Sequence, residues 1–550
     1  MNILRVRVIG TIYTICMSCT IYMVIAVAIL PSLVVAAPPS LTQLFPAGIG
    51  RGGAYRVQLE GTFDSWPVEV LADRDGLEIE VTEEKGVVNI TAKADTLSGV
   101  YYLRAVNSEG ASTLRPIVVG TLANFTESEP NHEQGGWNEV DLPVTVNGKL
   151  ASSADVDQFS VVLDKGQTFV AALQGNRILG SPMDAILQVA DERGFVVAQN
   201  DDERGYDPMV SFTAPHSGTF VVRLFAFPVK PNSSIAFSAQ GSYIYRLTLS
   251  NQAYLQYTLP LGVSGEQREV ELVGAGLQGV KKILDTPMPK SAAGILMFAG
   301  VAGESDIVDS GITHLVATLE SSKETPQAIT VPASVSGVIE SPSDVDVFQL
   351  DVVKDEQFEI SVESRKLGFA ADAHLELFDA EGKSLTVKDD ASGSEYDPGT
   401  ITYKATVDGP IFVHVRDAFR HGGPRHVYRM TIQKSAPRYT LELAADTYIK
   451  KAAEALEIPI TVTRLAGEAS TISIAIDGLP DGLTCAAVVS DPGNDSKAKV
   501  TLKIEGAAAF KGPLSIIGSV EGKEEKVTAT HSLVGTHYRA SLLYFVSLGE

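Results

Sequence analysis

From about residue 40 onward, apolar and polar positions alternate with a period of two. Arg56 and Gln58 separate Tyr55, Val57 and Leu59, and Glu78 and Glu80 separate Leu77, Ile79 and Val81. Successive strand side chains point to opposite faces, so each run puts one face in a core and the other in water. Turns bearing Gly or Asp break the runs roughly every ten residues, a β-sandwich spacing. No helical period is sustained, and the best helix candidate, Lys450 to Glu457, is short. The pattern predicts an all-β chain of tandem β-sandwiches. Single cores rarely grow past roughly 250–300 residues, so a chain of 550 residues is expected to hold several domains.

The strongest signal is an internal repeat. VNGKLASSADVDQF (Val146 to Phe159) faces VSGVIESPSDVDVF (Val335 to Phe348), an offset of 189 positions. In the same order, ADERGFVVAQNDD (Ala190 to Asp202) faces FDAEGKSLTVKDD (Phe378 to Asp390), and GYDP at Gly205 faces EYDP at Glu395. GTFVVRL at Gly218 then faces GPIFVHV at Gly409, and YRLTL at Tyr245 faces YRMTI at Tyr428. Chance similarity does not keep its order over such a length, so one module occurs twice. The segments around the copies also read as strands. The expected order is a signal peptide (1–37), an immunoglobulin-like domain (38–122), the first module (123–250), an immunoglobulin-like domain (251–322), the second module (323–433) and a C-terminal immunoglobulin-like domain (434–550).

The first 37 residues read as an export signal. Arg5 and Arg7 are their only charges, an apolar run follows from about Tyr22 to Val35, and Ala36 and Ala37 close it. Cleavage is expected, with no membrane insertion afterwards; the alternative is an uncleaved anchor, which Thr11, Thr14, Ser18, Thr20 and Pro31 dilute. Two of the three cysteines, Cys16 and Cys19, lie in that segment, so the exported chain keeps only Cys485 and forms no internal disulfide. Cys485, in an apolar stretch, reads as a small buried residue. The net charge of −23 repels nucleic acid and anionic lipid and attracts cations.

The two copies resemble bacterial pre-peptidase C-terminal domains. The residues that carry the likeness are ESEPN (Glu127 to Asn131), SADVDQF (Ser153 to Phe159), the turn at Asp191, the NDD at Asn200 and APHSGTFVVRL from Ala214. It covers about 123–250 and, less fully, 323–433. The resemblance implies jelly-roll-like sandwiches, here alternating with immunoglobulin-like or IPT-type modules, in proteins that are secreted and often joined to peptidases. It also implies calcium, which relatives in bacterial collagenases bind. Glu127, Glu129 and Asn131 match the family's calcium-binding strand residue by residue, and Asp155, with Asp157 beside it, matches the loop that completes the site. The residue types agree: calcium takes six to eight oxygens, largely from carboxylates and carbonyls. The competing account makes these acids turn residues that cap backbone amides. The second copy keeps Asp344 and Asp346, but SKETPQ around Glu324 has lost the Glu-x-Glu-Pro-Asn order, so its site is expected to be weak or absent.

Other chemistry is sparse. The acids of NDDERGYDP (Asp201, Asp202, Asp207) and their partners Asp389, Asp390 and Asp397 fail an EF-hand pattern and read as a structural loop, with a second cation as the alternative. His414, His421 and His426 match no feature of the first copy, whose corresponding stretch has no histidine, and they read as surface side chains rather than as zinc ligands. Trp66 and Trp137 read as core or edge residues. No GxSxG, HExxH or Walker A motif occurs. The expectation is a non-enzymatic exported protein that binds a protein or polysaccharide of the cell envelope or extracellular matrix. The alternatives are an accessory subunit of a secreted hydrolase and an unrecognised hydrolase.

Overall fold

The computed structural model describes residues 37–132, 136–153, 155–229, 237–263, 268–284, 293–298, 301–309, 315–317, 325–390, 397–451, 454–533, 539–540 and 542–548. The signal-peptide reading therefore falls almost wholly outside the described residues. Among those residues, no helix is long and apolar enough to cross a membrane. From Pro38 onward, strands make up nearly all the regular structure of the described residues, paired into stacked sheets as the period-two pattern requires.

Both repeat copies build the same two five-stranded sheets. In the first copy one sheet runs Asn138–Glu139, Asp157–Leu163, Gly218–Pro228, Met183–Asp191, Val196–Asn200. The other runs Met209–Thr213, Thr168–Gln174, Ile244–Ser250, Val144–Lys149, Ala123–Thr126. The second copy repeats this order with Gln327–Ala328, Asp346–Val352, Gly409–Asp417, Ala373–Phe378, Ser384–Lys388 in one sheet. Its other sheet is Ile401–Lys404, Gln357–Glu363, Val427–Lys434, Ala333–Val338, Leu315–Ala317. Register is kept too: Phe159 pairs with Val222 as Phe348 pairs with Val413, and Gly148 with Tyr245 as Gly337 with Tyr428. The alternating apolar positions meet between the sheets, with Phe159, Val161, Leu187 and Leu247 in one core and Phe348, Leu350, Leu375 and Met430 in the other.

The flanking segments form separate sandwiches. Leu41, Val57, Ile90, Leu103 and Ile117 fill the first, and Leu441, Ile460, Leu502, Ile516 and Phe545 the last. Between the modules, strands Tyr254–Leu259 and Glu269–Ala275 pair around a smaller core of Leu255, Val270 and Leu272. The helix candidate from Lys450 to Glu457 is overturned among the described residues. Lys450 ends strand Thr447–Lys450, and Leu456 opens Leu456–Leu465, where Ile458, Ile460 and Val462 turn one face into the core. Alternation of β-branched residues outweighs the few good helix formers before them.

Three short helical turns occur among the described residues, and two lie at matching places of the modules: a helix at Asn176–Leu179 and a 3-10 turn at Arg365–Leu367. Each of these two hangs on the aspartate of the Tyr-Asp-Pro motif. Asp207 accepts from the backbone N–H of Gly175, Asn176 and Arg177 at 2.7–3.1 Å. Asp397 accepts from Ser364, Arg365 and Lys366 at 2.8–2.9 Å. These two acids thus satisfy the open amides of a turn, as the structural-loop reading expects.

Candidate metal centre

Glu127 follows strand Ala123–Thr126, which lies parallel to Val144–Lys149. Its backbone N–H donates to Asn147 O at 3.0 Å, which aims its side chain over Gly148. One carboxylate oxygen, Oε1, accepts from Lys149 N at 2.5 Å and the other, Oε2, from the Tyr245 hydroxyl at 2.8 Å. Asp157 opens the strand Asp157–Leu163 and is fully buried; its Oδ2 accepts from the same hydroxyl at 2.5 Å. Gly148 makes this approach feasible, because a Cβ there would stand 2.1 Å from the Tyr245 oxygen and 2.5 Å from Glu127 Oε2.

A phenol has one proton to donate, so Tyr245 serves only one of the two carboxylates at a time. Burial pushes Glu127 up to about 7, against hydrogen bonds from Asp157, Tyr245 and Lys149 that pull it down, with Glu129 adding to the rise. Burial and the Glu127 charge also push Asp157 well above the usual carboxylate range. The pair is short of positive charge.

Glu129 joins them. Carboxylate oxygens of Glu127, Glu129 and Asp157 lie within 4.8 Å of one another. Glu129 Oε2 also accepts from the backbone N–H of Asn131 at 3.0 Å. Asn131 is fully buried, and neither Oδ1 nor Nδ2 has a hydrogen-bond partner; nor has Asp157 Oδ1. Buried polar atoms are nearly always paired, so three orphan atoms on these two residues are unusual. This donor set, hard oxygens in a region of excess negative charge, fits calcium.

Asp155 stands one step away. It caps the loop by accepting from Ala151 N at 2.8 Å, and its carboxylate also groups with Glu129 and His132 within 4.8 Å. Glu129 therefore belongs to both groups. His132, directly after Asn131, is the residue the sequence reading missed; only its place in the chain pointed to it. Gln158 Nε2 anchors its carbonyl at 2.6 Å.

In the second copy the frame persists. Asp344 accepts from Glu340 N at 2.9 Å, as Asp155 does from Ala151, and the Tyr428 hydroxyl donates to Asp346 at 2.7 Å. Glu324 lies outside the described residues. Elsewhere, Trp66 is half-buried at the edge of the first core and donates to Thr82 O at 2.8 Å. Cys485 is half-buried rather than fully buried, and burial pushes its thiol up, away from the thiolate a nucleophile needs. His414 lies on strand Gly409–Asp417 against Phe378, with ring centroids 4.4 Å apart.

No known family model matches the chain. A probable subtilase-type serine protease of Deinococcus radiodurans is 26% identical over 215 residues, 32% of this chain and 29% of that protease. The chain thus spans under a third of that relative. Among solved structures, the pre-peptidase C-terminal domain of a Bacillus anthracis collagenase is matched over its full length and 22% of this chain, with a TM-score of 0.17 and 12% identity. The M60 catalytic domain of Clostridium perfringens ZmpB, with its two CBM51 domains, is matched over 72% of this chain and 46% of that one, with a TM-score of 0.14 and 8% identity. None of these structural likenesses bears on function.

Proposed function

We propose that this chain is a non-catalytic exported protein whose tandem sandwiches present binding surfaces to a protein or polysaccharide of the cell envelope or extracellular matrix. Its first repeat is a pre-peptidase C-terminal-type module that calcium stiffens. Glu127, Glu129 and Asp157 supply carboxylates, Asn131 supplies its amide oxygen, and Asp155 holds the adjoining loop. The observation that carries the calcium reading is the buried, unpartnered Asp157 Oδ1 among three converging carboxylates, with a second buried, unpartnered oxygen on Asn131, whose backbone N–H bonds Glu129. An ion bound at a hundred times its dissociation constant adds about 2.7 kcal/mol to the folded state. That is a large fraction of the margin of a domain without disulfides.

The partial likeness to a subtilase-type protease supports a second reading, an accessory subunit that targets a secreted hydrolase in trans. Co-purification of a peptidase with the full chain from its native envelope fraction would favour it over the first.

The test of the calcium reading is a thermal melt of the full chain in millimolar calcium and in chelator. Calcium is expected to raise the midpoint of one transition, Glu129→Ala to remove most of that rise, and Asp344→Ala to leave it in place. An unchanged midpoint in the wild-type chain would sink the reading.

A further inference from the structure

The second module carries a cluster of a different kind. Strand Gly409–Asp417 ends in Asp417, which is buried. Its carboxylate is held on three sides: Oδ2 accepts from Asp372 N at 2.9 Å, and Oδ1 from Phe419 N and His421 N at 3.0 and 2.9 Å. The loop beyond it then doubles back, so that one ligand-type atom from each of Asp417, His421 and His426 falls within 4.8 Å of the others. His421 Nδ1 stands 3.8 Å from Asp417 Oδ1.

This loop is braced before any ion arrives. Ile339 N donates to His426 O at 2.9 Å, Gly423 N to Ile339 O at 2.8 Å, and His426 N to Gly423 O at 2.9 Å. Gly422 packs so closely that a Cβ would lie 2.3 Å from the Ser341 backbone. Donors fixed in this way lose little entropy on binding. Arg425, next to His426, directs its guanidinium away to Glu203, 2.9 Å from Nε, and to Gly368 O.

His426 Nδ1 is buried and has no hydrogen-bond partner. A neutral imidazole has one nitrogen that donates and one that accepts, and a buried ring nitrogen left idle is uncommon. The first module offers no counterpart, since Val222 to Arg246 contains no histidine.

We propose that Asp417, His421 and His426 form a transition-metal site, with zinc as the fitting ion, peculiar to the second module. Two imidazoles and one carboxylate match the three protein ligands of zinc sites that leave a fourth position open. The sequence expectation of surface histidines holds for the exposed His421, but the loop folds it and the half-buried His426 onto the buried Asp417. The site is independent of the calcium reading.

The test is a calorimetric zinc titration of the metal-stripped full chain with calcium saturating, so that the hard-oxygen centre of the first module does not compete. One equivalent of zinc is expected to bind. His421→Ala is expected to weaken it about tenfold or more, and the double variant H421A/H426A to abolish it. Cobalt(II) in place of zinc should give ligand-field absorption in the wild-type chain that the double variant lacks. His421 is 71% exposed in its side chain, so its loss should not unfold the module; equal melting midpoints of the metal-free proteins check this. An unchanged zinc isotherm in H421A/H426A, or no zinc bound by the folded wild-type chain, overturns the proposal.

Discussion

The Tyr245 hydroxyl sits 2.5 Å from Asp157 Oδ2 in the first module, and 88 residues separate the two in sequence. The pair recurs in the second module as Tyr428 and Asp346 at 2.7 Å. In the first module alone, among the described residues, a further acid, Glu127, shares the hydroxyl. One framework bond thus serves both copies, and in the first Glu127 adds a second carboxylate to it.

Removing that hydroxyl separates the two roles. Tyr245→Phe and Tyr428→Phe should each destabilise their module by about 1–3 kcal/mol, because each removes a donor from a buried carboxylate. Only Tyr245→Phe should also change the calcium dependence of the melt, since only it borders the carboxylate group. Equal calcium shifts in both variants would detach Tyr245 from the ion site.

The acid of the Tyr-Asp-Pro motif holds a turn. Replacing Asp397 by Ala strips the acceptor from three backbone N–H groups and should cost about 2–4 kcal/mol by denaturant midpoint. Asp397→Asn keeps an oxygen and should recover part of that loss. Asp207→Ala should act in the same way in the first module, where the aspartate is buried.

Where the first module pairs Gln174 with Arg246, the second pairs Glu363 with Arg429. Burial alone would raise the Glu363 carboxyl, but the Arg429 and Lys366 charges outweigh it and hold the group down to about 2, from an ordinary 4.5. A folded value below the unfolded one adds stability above the unfolded value, and that stability is lost as pH falls through the folded one. The second module should therefore lose about 2–3 kcal/mol from this pair as pH drops from about 4.5 to about 2. Glu363→Gln should flatten the melting midpoint over that window. A parallel decline in the variant would remove Glu363 from the acid response.

The sandwich architecture and the repeat were legible because both rest on local signals: period-two alternation, and ordered matches such as ADVDQF with SDVDVF. So were Glu127, Glu129 and Asp157 as a group, through their resemblance to a known strand and loop. Their shared tyrosine was not, because a contact between strands of the two facing sheets, 88 residues apart, leaves no local mark. Asp155 and Asp157 look alike in the sequence, two acids separated by Val156. Yet one caps a loop amide and the other opens a strand and is fully buried. His132 and the gathering of His421 and His426 on Asp417 depend on how a turn closes, which composition does not set. For Lys450 to Glu457, tertiary pairing overrode a weak helical preference.

A contact that no local pattern announces joins the first and last sandwiches. Arg104, on strand Gly99–Val106, reaches Asp446 across 342 positions, with Nη2 3.2 Å from Oδ2 and both side chains buried. Oδ2 of Asp446 also accepts from Leu114 N at 3.1 Å, and the Arg104 guanidinium lies over the Tyr544 ring at 5.0 Å. Val106, Ala111, Tyr544 and Val546 pack together between the same two sandwiches. Removing one partner of a buried ion pair strands the other charge and costs about 3–5 kcal/mol. Asp446→Ala should therefore loosen the two sandwiches from each other before it unfolds either. The expected readout is faster protease cleavage and a separate, lower melting transition for the terminal sandwiches, with the transitions of the two modules unmoved. The double variant R104M/D446L replaces the pair with apolar groups and should restore much of the coupling, because neither buried charge is then left alone. If Asp446→Ala leaves a single wild-type-like melt, the pair is not what couples the sandwiches.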